Sequence, residues 1–155
     1  MDINLHGVYR CQKEELTVMM KQEDLGARRG RGAIINLASM LGVVSTPQYG
    51  IPTDAYTTAK HGVVGMTRAA ANDYNNNKVR INAMCPGYTA TPLLGDKEFA
   101  QRVGGLVSQH IDNNCPMKRY AEPEEIADAI VFLASPMSSY VNGITMIVDG
   151  GITSN

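Results

Sequence analysis

The sequence lacks the long apolar runs and the strong charge that mark several protein classes. No apolar stretch in the 155 residues approaches the ~20 residues that a membrane span needs. Asp2, His6 and Arg10 stand where a signal peptide would be apolar. The formal net charge is only −1, so we expect neither a nucleic-acid nor a membrane partner. These absences predict a soluble protein that is not exported and lies in the cytoplasm.

Cysteine and histidine are too few and too scattered to build a disulfide framework or a metal site. The three cysteines, Cys11, Cys85 and Cys115, are odd in number and form no Cys-x-x-Cys pair. This pattern indicates free thiols in a reducing compartment. The three histidines share no close spacing with each other or with cysteine, so no metal site is predicted.

What is present is the pattern of one α/β domain. The chain is 44% apolar and 19% charged, and its length is typical of a single globular domain that spans residues 1–155. Hydrophobic spacing and breaker residues predict helices near 3–21 and 54–74, a helical segment that ends near 114 and a helix that starts near 122. Short apolar runs predict strands near 33–38, 79–85 and 143–149. This alternation is expected of a parallel sheet with flanking helices.

Tyr56 and Lys60 form the first candidate for chemistry. Four residues apart on the predicted helix 54–74, their side chains leave the same face about one turn apart. A phenol ordinarily titrates near pH ~10, and a nearby cation favours its ionised form. The spacing alone is a weak motif, because many unrelated helices contain it.

Further motifs in the same order make the chain similar to the short-chain dehydrogenase/reductase family. Asn4-Leu-His-Gly7 resembles the family's Asn-Leu-x-Gly, and Ser39 follows the predicted strand 33–38, with Gly42 three residues later. Arg80-Ile-Asn82-Ala-Met-Cys-Pro86-Gly87-Tyr-Thr-Ala-Thr91 resembles Arg-x-Asn-x-x-x-Pro-Gly-x-x-x-Thr, and Val148-Asp149-Gly150-Gly151 resembles the C-terminal signature. The resemblance implies the C-terminal part of a doubly wound, Rossmann-type parallel sheet.

The resemblance also implies an NAD(P)-dependent oxidoreductase that interconverts a secondary alcohol and a ketone. Tyr56 would be the acid and base at the substrate oxygen, and Ser39 would hydrogen-bond that oxygen. Lys60 would stabilise the phenolate and hold the nicotinamide ribose, and Asn4 would hold a water that relays protons. The implied cofactor contacts are Tyr56, Lys60, Pro86, Gly87, Thr89 and Thr91, with NAD and NADP both open.

Each of these positions also has a structural reading. Ser39 could be a turn residue. Ser45 is the weaker candidate for catalysis, because the motif segment that ends at Gly42 follows Ser39. Asn4 favours helix caps, and Pro86-Gly87 is a common turn dipeptide. Asn82 is more consistent with a structural role than with a catalytic one.

The region around the predicted pocket is less defined. Pro47, Tyr49, Gly50 and Pro52 lie in a loop between Ser39 and Tyr56 that we expect to extend over the substrate. Met40, Leu93 and Leu94 could line the pocket or belong to the core.

The family's N-terminal half, with its glycine-rich cofactor loop, has no counterpart in this sequence. The glycines between Gly26 and Gly32 are followed by a predicted strand rather than preceded by one, so they are not a Rossmann fingerprint. We therefore expect weak cofactor binding by the chain alone and an apolar sheet edge at 33–38. A fragment, an alternative product and a gene model that starts at an internal methionine all remain open.

The resemblance leaves two functions open. The chain could be the catalytic half of the enzyme. Alternatively, it could be an inactive oligomerisation partner of a full-length relative. Homo-oligomerisation is expected through the helices near 3–21 and 54–74.

Overall fold

A computed structural model describes residues 1–45, 53–92 and 97–154, without the side chains of 97–104. The expected pocket loop with Pro47, Tyr49, Gly50 and Pro52 lies outside the described residues, as do Leu93 and Leu94.

Three parallel strands form the sheet, in the spatial order β1-β2-β3. The strands are β1 (Gly32–Leu37), β2 (Val79–Pro86) and β3 (Thr145–Val148). The helices are α1 (Val8–Met19), α2 (Asp54–Tyr74), α3 (Lys97–Asn114) and α4 (Pro123–Ala134). The predicted α/β class and parallel sheet are confirmed.

The sequence predicts one helix over 3–21, but the structure has two helical elements there. A π-helical turn, Asp2–Gly7, precedes α1, and within it the amide of His6 donates to the carbonyl of Met1 at 3.3 Å. Such wide turns are rare and occur often at functional sites. Hydrophobic spacing does not distinguish a wide turn from an α-helical one over so few residues.

The core has two layers, one on each face of β2. Ala83 and Cys85 pack with Val63 of α2 on one face, whereas Met84 packs with Leu133 of α4 on the other. All five side chains are fully buried. The alternation of side chains along the strand therefore places helices on both faces of the sheet.

A buried polar cluster fixes α1 and α2 against β1. The Asn36 amide donates to Gln12 Oε1 at 2.7 Å and to Thr67 Oγ1 at 2.8 Å, and Thr67 donates to the Val63 carbonyl. Gln12 interrupts the apolar stripe of α1, and this cluster explains why a polar side chain is tolerated there.

Asn82 and Asn142 join β2 to the segment before β3. The Asn82 amide donates to the Val141 carbonyl at 3.0 Å and accepts from the Ile144 amide at 3.1 Å. Asn142 accepts from the Ile81 amide at 2.8 Å. These bonds agree with the structural role predicted for Asn82.

Within the described ranges, no helix combines the length and the apolar character that crossing a bilayer requires.

Candidate active site

Tyr56 and Lys60 lie in the first two turns of α2. Lys60 is only 7% exposed, and its Nζ donates to the Leu37 carbonyl at 2.9 Å. The same Nζ lies 5.4 Å from the centroid of the Tyr56 ring. Burial lowers the pKa of Lys60 because desolvation disfavours the charged form. The helix thus holds a largely desolvated ammonium beside a phenol.

Ser39 follows β1 and begins a 3-10 turn, Met40–Gly42. Its Oγ accepts a hydrogen bond from the Leu41 amide at 3.2 Å. Because the hydroxyl is the acceptor in this bond, its own proton remains available to another acceptor. The serine is therefore oriented by the backbone and can still donate.

Gly42 allows this turn to approach α2. A Cβ atom at Gly42 would lie 2.8 Å from the carbonyl oxygen of Lys60, closer than a side chain can come without a backbone shift. The glycine that follows Ser39 in the sequence motif thus brings the serine turn against the turn of α2 that contains Lys60.

Cys85 is a neighbour of this site that sequence reasoning treated only as a free thiol. It is fully buried, and burial raises its pKa, whereas the Ser39 backbone and the Lys60 charge act in the opposite direction. Its position just before Pro86-Gly87 was the only sequence signal that could have placed it near the site.

Pro86, Gly87, Thr89 and Thr91 lie at and beyond the C-terminal end of β2. A Cβ at Gly87 would lie 2.7 Å from the Cα of Asp149, so this glycine permits close packing against the end of β3. Thr89 forms a parallel bridge with Ala121 and donates to the Gly87 carbonyl at 3.2 Å. The Thr91 amide donates to the Thr89 carbonyl at 2.8 Å. The segment is thus folded and held beside the carboxyl edge of the sheet.

Asn4 lies half-buried in the π-helical turn. The next residue, Leu5, packs closely against Gly62, two residues after Lys60. The turn therefore packs against the same part of α2 as the candidate site. The role of Asn4 in holding a water remains a prediction.

Tyr56 packs against an apolar cluster. Met40 is 3% exposed and belongs to this cluster, as does Ile111 of α3; Tyr88 and Tyr120 pack against it. Met40 is therefore a core residue that also lies beside the candidate site.

The described part of the chain contains no group of three or more His, Cys, Asp or Glu side chains that could hold a metal ion.

Known proteins are similar to this chain in sequence and in fold. Residues 1–153 match the profile of a family described as enoyl-(acyl carrier protein) reductase. The short-chain dehydrogenase fogB of Aspergillus ruber is 46% identical to this chain, in an alignment that covers 99% of it. The 2,5-dichloro-2,5-cyclohexadiene-1,4-diol dehydrogenase of Sphingobium indicum is 39% identical, and that alignment also covers 99% of this chain.

A solved structure shows the same architecture. The gluconate 5-dehydrogenase of Burkholderia cenocepacia, in complex with NADP and tartrate, superposes on all of this chain with a TM-score of 0.79 and 30% identity. The chain covers 55% of that structure and 56% of each of the two relatives, so it spans little more than half of their length. With the ordered motifs and the parallel sheet, these matches show that the chain belongs to the short-chain dehydrogenase/reductase family.

Proposed function

We propose that this chain carries the catalytic part of an NAD(P)-dependent oxidoreductase that interconverts a secondary alcohol and a ketone. The observation that carries the proposal is the buried Lys60 ammonium, held by the Leu37 carbonyl at 2.9 Å and lying 5.4 Å from the Tyr56 ring. This geometry supports the proposal because it places a cation beside the side chain that would transfer the proton.

The remaining site residues have complementary roles. Tyr56 gives a proton to the ketone oxygen or takes one from the alcohol, and Ser39 donates a hydrogen bond to the same oxygen. The bond from the Leu41 amide to Ser39 Oγ supports this role, because it orients the serine without using its proton. Asn4 holds a water through which Lys60 exchanges protons with solvent.

The cofactor is a nicotinamide dinucleotide, NAD or NADP, which supplies or accepts the hydride when bound. Lys60 would hold the ribose hydroxyls, and Pro86, Gly87, Thr89 and Thr91 would hold the carboxamide. The chemistry of these groups fits, since an ammonium, a threonine hydroxyl and loop backbone groups can all bind hydroxyl and amide oxygens. Their position at the carboxyl edge of a parallel sheet is also where such folds bind ligands.

The substrate class is a small carbocyclic alcohol or ketone. The nonpolar surroundings of Tyr56, which packs against the cluster of Met40 and Ile111, are compatible with a ring of little polarity. The Sphingobium indicum relative is named for oxidising a six-membered ring diol.

The test uses a chimaera in which this chain follows the part of the Aspergillus ruber relative that it does not match. Reduction of cyclohexanone by NADH or NADPH is followed by loss of the reduced cofactor's absorbance. Tyr56→Phe should lower kcat by about 10²–10⁴-fold, the usual contribution of a positioned acid, with a smaller effect on cofactor affinity, measured by NADH fluorescence.

The matched control is Tyr140→Phe, since Tyr140 is fully exposed and should leave kcat unchanged. If the Tyr56→Phe chimaera binds cofactor and turns over at the parent rate, Tyr56 is not the acid.

An oligomerisation partner is the second candidate function. Gly65 and Ala69 lie four residues apart on α2, and both are exposed. The space around Gly65 is open. Small side chains allow close helix packing, so this small-residue face, Gly65 and Ala69, supports association with another copy or with a longer relative.

A further inference from the structure

Ala121 brackets Thr89, one of the residues proposed to hold the nicotinamide. The Ala121 amide donates to the Tyr88 carbonyl at 2.9 Å. The Ala121 carbonyl accepts from the Ala90 amide, also at 2.9 Å. Thr89 and Ala121 thus form a parallel β-bridge, and the position of Thr89 depends on how the two peptide groups of Ala121 are oriented.

Arg119 and Glu125 bind the other ends of those two peptide groups. Arg119 Nη1 donates to the Tyr120 carbonyl at 3.0 Å, and this carbonyl lies in the same planar peptide as the Ala121 amide. The Glu122 amide donates to Glu125 Oε2 at 2.8 Å, and it lies in the same planar peptide as the Ala121 carbonyl. Each peptide group of Ala121 is therefore held at both ends.

The two side chains also bind each other. The Arg119 guanidinium donates to both carboxylate oxygens of Glu125, at 2.6 and 2.8 Å. A bidentate pair of this kind combines opposite charges with a fixed geometry. The Arg119–Glu125 pair thus joins the turn before α4 to the first turn of that helix, and Ala121 lies between its two members.

Packing contributes less than hydrogen bonding on one side of this bridge. A cavity of about 60 Å³ is lined by Tyr88, Arg119 and Ala121, and by Val148 at the end of β3. Residues that line a cavity lose packing contacts on that side. The placement of Thr89 therefore depends strongly on the hydrogen bonds at Ala121.

We propose that Arg119 and Glu125 are positioning residues for the nicotinamide cofactor. They fix the two peptide groups of Ala121, and through these groups they hold Thr89 in place. The proposal rests on the proposed function, because it requires Thr89 and its neighbours to hold the carboxamide. Neither side chain of the pair touches the cofactor. If the pair only capped α4, its loss would destabilise the helix and leave the cofactor site unchanged.

Hydrogen exchange followed by NMR tests the link in this chain without cofactor. Arg119→Gln removes the guanidinium, so the amides of Ala90 and Ala121 should exchange about tenfold faster or more, as expected when local opening becomes easier. The Ala83 amide in the centre of β2 reports opening of the whole fold. The expected result is therefore a faster exchange of Ala90 and Ala121 that exceeds any change at Ala83.

Lys78→Gln is the matched control. It removes another partly exposed ion pair, between Lys78 and Asp24. Lys78 lies just before β2, at the end of the strand opposite to Thr89. This variant should leave the exchange of the Ala90 and Ala121 amides unchanged.

Cofactor affinity in the chimaera tests the consequence. Arg119→Gln should weaken the binding of NADH or NADPH, each measured by its fluorescence, by about tenfold, as is usual when hydrogen bonds to a charged group are lost. Glu125→Gln should have a similar effect. The double variant should bind no more weakly than either single variant, because both changes break one arrangement. Lys78→Gln should bind like the parent chimaera.

Unchanged exchange at Ala90 and Ala121 in Arg119→Gln overturns the proposal. Faster exchange with the parent's cofactor affinity also overturns it, since the pair would then act only on α4. A parent chimaera that binds neither cofactor overturns the proposed function and this proposal with it. Cofactor binding that needs Arg119, together with parent turnover in Tyr56→Phe, would overturn the proposed chemistry alone.

Discussion

At the scale of single residues, the sequence indicated candidate side chains but not the groups that they contact. Tyr56 and Lys60 could be paired from their spacing because a helix brings residues four apart together. The acceptor of Lys60, the Leu37 carbonyl, lies 23 residues away in sequence, and no local pattern indicates it. The same holds for Cys85 and for the contact of Asn36 with Gln12, since both depend on how the elements pack.

Glu125 is the residue whose charge should be visible in stability. Arg119 makes two bonds to it, at 2.6 and 2.8 Å, and the Glu122 amide makes a third. These bonds lower the pKa of Glu125 to about 2, and those from Arg119 have the largest effect. A carboxyl whose pKa is lowered in the folded protein stabilises the fold at pH values above its ordinary pKa. That contribution to stability is lost as the pH falls through about 2.

We therefore predict that Glu125→Gln lowers the Tm by a few degrees at pH 7. The gap from the parent protein should close as pH falls from about 4.5 towards 2. Thermal melts at a series of pH values check this. Glu124→Gln, an exposed change in the same helical turn, is the control, and an equal loss in both variants would contradict the role of the Arg119 pair.

At the scale of elements, helices and strands were predicted to within a few residues because their signals are local. The N-terminus of α4 shows this, since Pro123 occupies the first turn and Glu122 and Glu125 form a reciprocal capping box. The π-helical turn at Asp2–Gly7 was missed, since its hydrogen bonds differ from those of an α-helix by one residue only.

Gly42 tests how one element positions another. We predict that Gly42→Ala destabilises the protein by about 1–3 kcal/mol, as is usual for overpacking, because the new Cβ meets the backbone carbonyl of Lys60 at 2.8 Å. Urea unfolding measures the change. In the chimaera it should also lower kcat, because Ser39 moves relative to Tyr56.

Gly105→Ala in α3 is the matched control, since open space surrounds that glycine and alanine favours a helix by up to about 1 kcal/mol. Equal stability of the Gly42→Ala and parent proteins would mean that the serine turn is not held by close packing.

At the scale of the whole molecule, the alternation of elements predicted the parallel sheet, because buried strands and amphipathic helices have distinct patterns. The candidate residues that follow β1 and β2 could also be assigned to one edge of the sheet, since parallel strands present their carboxyl ends there. Sequence alone could not show that a groove lies between the N-terminal helices and β1, because this depends on how those elements pack.

Assembly is the property that belongs to this scale. If the small-residue face of α2 mediates association, Ala69→Arg should convert a dimer or larger species into a monomer in analytical ultracentrifugation. A long charged side chain would prevent the close approach of two helices whose contact is formed by small residues. Ala127→Arg, exposed on α4, is the control, and a monomeric parent protein would remove this face from the candidate interfaces.

The Leu37 carbonyl links two parts of the molecule that otherwise have separate roles. It accepts from Lys60 Nζ and points to the open side of β1. A carbonyl has two lone pairs, so this oxygen can accept a second hydrogen bond beside the one from the lysine. The edge of β1 and the candidate site therefore share one atom, and a new hydrogen bond at that edge would change the surroundings of the ammonium.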